Sequence, residues 1–307
     1  MSILAAVRAQ PWAILPEYMA AIEAIALRIE RGEAVATVAN DGHAERYAAF
    51  HAAAGGRVAG TRGAVIAADG LAMVPVFGPI FPRANMMTEM SGATSADILG
   101  ADLAALDAMK DIRSIMLVVD SPGGAVTGIA RLAAQIHAMK TPVIAHVEGV
   151  GASAAYWLAS QVREISLDPT AAVGSIGVVF QTSVQEGPDG EGRRSIDIVS
   201  SNAPDKRADV TTPEGQASIR AMCDAIEAVF IADVARGRGV TPATVIAEYG
   251  GGGMKSGQDA KAAGMVDRVE FRAAALERLA RQIAPTPPKR TVAEAQQAVA
   301  HFRAALN

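Results

Sequence analysis

The run RSIMLVVDSPGG at residues 113–124 decides how this chain folds. Ile115 to Val119 is unbroken apolar sequence with no polar alternation, the pattern of a strand buried on both faces, and such strands belong to parallel sheets covered by helices. Asp120 and the SPGG turn end the strand, and GIARLAAQIHAMK (128–140) supplies a helix with apolar residues at helical spacing. The same order then repeats: TPVIAHV (141–147) reads as a strand, GVGASAAYWLASQ (149–161) as a helix and EISLD (164–168) as a short strand. Upstream, LAMVPVFGPIF (71–81) reads as a strand, and SADILGADLAALDAMK (95–110) as a helix capped by Ser95 or Asp97. Strands and helices that alternate through short connections predict an α/β fold, a mostly parallel sheet flanked by helices.

Farther out the pattern changes. Residues 12–32, WAILPEYMAAIEAIALRIERG, carry an apolar face at helical spacing and end at Arg31-Gly32, which predicts one amphipathic N-terminal helix. Residues 33–65 are rich in Ala and Gly and read as a mobile connection. Downstream, GSIGVV (174–179) reads as a strand, QEGPDGEGRR (185–194) as a glycine-rich loop and SIDIVSS (195–201) as another strand. A long helix is expected from Thr212 to Arg236, with Pro213 in its first turn. KSGQDAKAAGMVDRV (255–269) then gives a helix, a stop at Gly264 and a last strand. Beyond Phe271 come one helix, the proline hinge APTPPKR (284–290) and a final helix over 292–307. The organisation expected is therefore an N-terminal helical extension and linker (1–65), a core (66–270) and a C-terminal helical tail (271–307).

Composition removes several function classes. The 307 residues are half apolar and one fifth charged, enough for a substantial core. A net charge of −4 with both signs interspersed leaves no basic stripe for a phosphate backbone, so no nucleic-acid partner is expected. The one cysteine, Cys223, excludes intramolecular disulfides and cysteine-rich zinc sites, and the five scattered histidines form no metal-ligand spacing. No metal or cofactor is expected. No stretch approaches the eighteen or so apolar residues of a membrane span, and MSILAAVRAQPWAILPEY lacks the basic start and apolar run of a secretion signal. The chain is expected to remain, away from any membrane, in the compartment where it is made.

Three places could carry chemistry. Ser153 sits among Gly149, Gly151, Ala152, Ala154 and Ala155 at the start of a helix, where unpaired N–H groups favour developing negative charge and small neighbours admit a substrate backbone. A serine there also suits a plain helix cap. The SPGG turn could direct N–H groups toward an oxyanion, or be only a tight strand-to-helix turn. Lys206, in SSNAPDKRAD, could act as a base if its environment lowered its pKa from about 10.4 toward neutrality. A Ser153–His146–Asp120 triad is the competing arrangement, but His146 lies in mid-strand and Asp120 opens the turn.

The ordered series SPGG, GVGASAAYWLA, GSIGV, a lysine, FIADVARGRG and GGGMKSGQDAKAAGMVD resembles the signal-peptide-peptidase-A family of serine peptidases, of the ClpP/crotonase-like superfamily, over roughly residues 70–270. The resemblance implies Ser153 as nucleophile and Lys206 as general base of a Ser/Lys dyad. It further implies oxyanion donors at Gly123, Gly124 and Ala154, with Gly124 favoured over Gly123, and Ser175 as a hydroxyl that orients the lysine. The chain departs from the family in its glycine-rich loop before Lys206 and in the SSNAPDK approach to that lysine. Its N-terminal preface resembles the phage and prophage branch, whose members mature capsids. That implies a scaffold, capsid or portal protein as substrate, a homo-oligomeric ring with a dyad sometimes completed across subunits, and a location in the host cytoplasm or the assembling phage head. The alternatives are a signal-peptide-degrading peptidase without its anchor, a catalytically silent capsid or portal module, and a crotonase-type acyl-CoA enzyme, for which no suitable carboxylate pair stands out.

Overall fold

The structure, a computed structural model, describes residues 3–8, 10–33, 43–52, 55–68, 70–84, 93–182, 184, 187 and 199–283. The glycine-rich loop over 185–194 apart from Gly187, residues 195–198 of the strand expected over 195–201, and the proline hinge and last helix lie outside the described residues, and Val199–Ser201 form no strand.

In chain order the described helices are α1 (Ile3–Arg8), α2 (Pro16–Glu30), α3 (His43–Ala52), α4 (Ala96–Ala108), α5 (Ile129–Ala138), α6 (Ala154–Ala159), α7 (Pro213–Arg238), α8 (Pro242–Glu248), α9 (Gly257–Ala262) and α10 (Arg272–Ile283). The strands are β1 (Trp12–Ile14), β2 (Val65–Ala68), β3 (Leu71–Phe77), β4 (Ile80–Phe81), β5 (Thr94–Ser95), β6 (Ser114–Ser121), β7 (Gly123–Ala125), β8 (Val143–Ala152), β9 (Glu164–Leu167), β10 (Ala172–Gly174), β11 (Met254–Ser256) and β12 (Arg268–Val269).

The main sheet runs β11-β10-β8-β6-β3-β2, with β9 on the first half of β8 and β12 on β9. Its centre, β3-β6-β8, is parallel, and β2 and β11 close its ends antiparallel. Successive strand residues face opposite sides of the sheet. Ile115, Leu117 and Val119 of β6 therefore join a core with Leu103 of α4, Leu132 of α5, Trp157 of α6 and Phe230 of α7. Met116 and Val118 join a second core on the other face, with Phe50 of α3 and Leu279 of α10. Helices thus cover both faces, which is why the strand shows no polar alternation. Ser95 caps α4 by accepting from the Ile98 N–H.

Two expectations near the N-terminus need correction. The single helix over 12–32 is a strand, β1, followed by a helix that begins at Pro16. Proline disfavours helical backbone in the residue before it and suits the first turn of a helix, so Leu15 is extended and α2 starts after it. The connection over 33–65 contains α3, whose Tyr47 and Phe50 rings pack edge-on against Phe77 at 5.2 and 5.6 Å. The strand expected over 174–179 stops at Gly174, because Ser175 turns to φ +54°.

A smaller sheet, β1-β7-β4-β5, stands at the end of the main one where β6 finishes. β1 pairs antiparallel with β7, the SPGG strand, and its Trp12 and Ile14 belong to a separate apolar cluster with Met19, Ile22 and Phe81.

One helix contact explains a sequence motif. A Cβ at Gly237, in the ARGRG stretch of α7, would stand 2.0 Å from the Ser160 carbonyl oxygen, so only glycine lets α7 approach the end of α6 this closely. Gly237→Ala is expected to push the helices apart and cost about 1–3 kcal/mol, read as a lower Tm. An unchanged Tm would show that this approach is not required.

Candidate active site

Ser153 lies where β8 turns into α6. Its backbone has φ +54° and ψ −117°, a conformation that side-chain-bearing residues rarely adopt. Hydrogen bonds hold it on both sides: the Ser153 N–H donates to the Gly174 carbonyl at 2.7 Å, and the Ser153 carbonyl accepts from the Trp157 N–H at 2.9 Å. Gly174 is itself constrained, at φ +141° with the Gly253 carbonyl oxygen 2.4 Å from where its Cβ would be. The GSIG and GGGM motifs therefore meet behind the serine. Ser175, the other non-glycine residue at positive φ among the described residues, directly follows Gly174.

The helix-cap role does not apply to Ser153. Its side chain makes no capping hydrogen bond, and its Oγ is buried with no hydrogen-bond partner. A buried unsatisfied hydroxyl and a strained backbone are both destabilising, and both fall on the same residue.

The SPGG turn closes over this hydroxyl. A Cβ at Gly123 (φ +101°) would lie 2.9 Å from Ser153 Cβ and 2.2 Å from the Ala13 carbonyl oxygen. A Cβ at Gly124 would lie 1.9 Å from the Ile80 carbonyl oxygen. The first glycine admits the serine and β1, and the second admits β4. The Gly123 N–H donates to Ser121 Oγ at 3.2 Å, so it is already engaged within the turn. The Gly124 N–H faces β1, and Ala154, at the first position of α6, follows the serine.

The rest of the ASAAYW motif anchors α6. Trp157 stacks on Phe230 of α7, with ring centroids 4.4 Å apart and planes within 7°, and its Nε1 donates to Asp233 at 2.8 Å. The buried Tyr156 hydroxyl donates to the Met265 carbonyl at 2.9 Å, and burial pushes its pKa well up, so it stays protonated. These contacts fix a helix of only six residues, which could not hold its own geometry.

The histidine triad is not assembled. His146 sits on the β8 face opposite Val147 and α6; its Nδ1 is 2.8 Å from Ser166 Oγ and its Nε2 3.1 Å from Asp168 Oδ1. Burial lowers its pKa, against the opposing pull of Asp168. Asp120 accepts from the Val150 N–H at 3.0 Å and pairs with Arg46 at 2.5 Å, securing the bend where β8 passes β6. Both residues serve the sheet rather than the serine.

Lys206 occupies an exposed 3-10 turn, Pro204–Arg207, ahead of α7. It makes no hydrogen bond to Ser153 Oγ within the chain. No cluster of His, Cys, Asp or Glu suited to a metal occurs among the described residues. No helix among them is long and apolar enough to cross a membrane.

Removing the strain gives a direct check. Ser153→Gly relaxes the positive φ and deletes the unpartnered hydroxyl, and outweighs the added chain entropy, so the variant should be more stable by about 1 kcal/mol. A lower Tm for Ser153→Gly would contradict this account of the turn.

Comparison with known proteins agrees with this geometry. Residues 135–284 match Peptidase family S49, and residues 82–166 match Clp protease. The chain is 31% identical to Protease 4 of Salmonella typhi over 189 residues, 58% of this chain and 30% of that protein. It is 36% identical to Capsid assembly protease C of Escherichia phage lambda over 120 residues, 38% of this chain and 27% of that protein. It is also 34% identical to the Head-tail preconnector protein GP5 of Enterobacteria phage P21 over 114 residues, 36% of this chain and 23% of that protein. The matched region spans less than a third of the length of each of these three relatives. With helices on both faces of a mostly parallel sheet and its serine in a strained turn, the core of this chain is similar to the S49 and Clp protease families over the residues matched.

Proposed function

We propose that the chain is a serine endopeptidase with a ClpP/crotonase-like core, in which Ser153 is the nucleophile and Lys206 the general base. The observation that carries this reading is the buried, unpartnered Ser153 Oγ on a backbone held at φ +54° beneath the SPGG turn. Lys206 takes the proton of Ser153, and the serine oxygen attacks a peptide carbonyl. The Gly124 and Ala154 N–H groups hold the resulting oxyanion, Gly123 shaping the turn rather than donating. The amine leaves with the proton, and water hydrolyses the acyl-enzyme. Ser175, one residue after the carbonyl that anchors Ser153, is the hydroxyl assigned to orient the base.

Among the described residues Ser153 lacks a base at hydrogen-bond distance and Lys206 is exposed, which favours a dyad completed between neighbouring subunits of a homo-oligomeric ring. Similarity to Capsid assembly protease C supports a scaffold, capsid or portal protein as substrate, and action in the host cytoplasm or the assembling phage head.

Incubation of wild type and Ser153→Ala with candidate head and scaffold proteins tests the nucleophile. Cleavage by wild type alone is expected, with at least a ~10³-fold loss in the variant; cleavage by both removes Ser153 from the mechanism. If Lys206→Ala keeps the activity, Lys206 is not the base. Mixing Ser153→Ala with Lys206→Ala subunits should restore part of the activity, and no restoration would place both groups in one chain.

A further inference from the structure

The strand that pairs with the SPGG turn comes from the chain's own N-terminal segment. β1 lies between two partners. On one side Trp12 exchanges both backbone hydrogen bonds with Val179, each 2.8 Å. On the other side β1 runs antiparallel to β7, with Ala13 opposite Gly124. Flanking bonds fix which of these pairs is hydrogen-bonded. Leu15 N–H donates to the Pro122 carbonyl at 3.0 Å, and Val126 N–H to the Pro11 carbonyl at 3.4 Å. Hydrogen-bonded pairs recur every second residue in an antiparallel ladder, so Ala13 and Gly124 form the pair between them. The Ala13 carbonyl is thereby directed at the Gly124 N–H.

The missing Cβ of Gly123 locates that carbonyl independently. The point where the Cβ would stand is 2.2 Å from the Ala13 oxygen and 2.9 Å from Ser153 Cβ. The Ala13 carbonyl oxygen and the Cβ of Ser153 thus lie on either side of the space that Gly123 leaves open. Side chains agree with this placement. Ala13 packs into the main core with Ile80 and Ala154, whereas Trp12 and Ile14 face the separate cluster with Phe81 and Met19. An extended peptide bound edge-on to a strand is a general mode of peptide recognition; here the peptide is supplied in cis.

We propose that Trp12–Leu15 is an intramolecular pseudosubstrate that fills the peptide cleft, presenting Ala13 at the position whose carbonyl faces Ser153, and that it must leave before another peptide is cut. The proposal rests on the peptidase reading above and adds a ligand class: an extended segment with a small residue at the reacting carbonyl between bulky apolar neighbours. Because Ser153 has no base at hydrogen-bond distance among the described residues, the segment is held uncut in the isolated chain.

The test uses the full chain. Ala13→Pro removes the N–H that pairs with Gly124, and Trp12→Ala loosens the segment through its side chain, which donates from Nε1 to the Val7 carbonyl at 2.9 Å. Both variants should hydrolyse a fluorogenic peptide carrying alanine before the scissile bond about tenfold faster than wild type. Added peptide QPWAILPE, residues 10–17, should reverse the gain competitively. Equal or lower activity in variants that keep the wild-type circular dichroism overturns the proposal and makes β1 a fixed wall of the site.

A binding assay separates this outcome from failure of the peptidase reading. Labelled QPWAILPE is titrated into Ser153→Ala and into Ser153→Ala/Ala13→Pro, neither of which needs to turn over. Binding at least tenfold tighter to the double variant upholds the cis-occupied cleft even if no chain shows activity. Equal binding, or none to either, rejects it.

Discussion

The 2.7 Å hydrogen bond from the Ser153 N–H to the Gly174 carbonyl is the contact around which the site is arranged. It holds a serine in left-handed backbone, a state that costs of the order of 1–3 kcal/mol and persists only where the surroundings over-determine it. Those surroundings are supplied from distant parts of the chain. Gly174 can take its own φ of +141° only because it lacks a Cβ that would meet Gly253. Trp157 and Tyr156 tie the short helix after the serine to α7 and to the Met265 backbone. The energy of the cores on both faces of the sheet thus stabilises one hydroxyl in a position it would not otherwise adopt.

The same logic explains why glycines crowd the site. Gly123, Gly124, Gly174 and Gly237 each stand where a Cβ would be 2.4 Å or less from a backbone carbonyl oxygen. Real Cβ atoms do not approach so closely, so these residues mark places where two backbones touch. Two of the contacts bring β1 and β4 against the SPGG turn, and the other two fix the turn after β10 and the seat of α6 on α7.

Much of this was legible in the sequence. The apolar run from Ile115 to Val119 predicts a strand covered on both faces, and its alternate residues do feed two cores. The ASAAYW motif marks Ser153 through its small neighbours, but a helix cap fitted the same residues; only the absent capping bond separates the readings. Trp12–Ile14 was misplaced in a helix because three apolar residues ahead of an amphipathic pattern extend its periodicity, although Pro16 marks the boundary. Its pairing with Gly123–Ala125 joins segments more than a hundred residues apart, and no local pattern encodes such a contact. The proposed base is the least local feature of all: Lys206 lies on an exposed turn and makes no hydrogen bond to Ser153 Oγ.

The central claim is that Ser153 is a nucleophile screened by the chain's own N-terminal strand. The most direct measurement is the site and rate of modification by a small fluorophosphonate, followed by peptide mapping, in wild type and in full-chain Ala13→Pro. The account predicts modification of Ser153 alone among the serines, slow in wild type and about tenfold faster in the variant. Modification of another serine, or none at Ser153 when the strand is displaced, would contradict it.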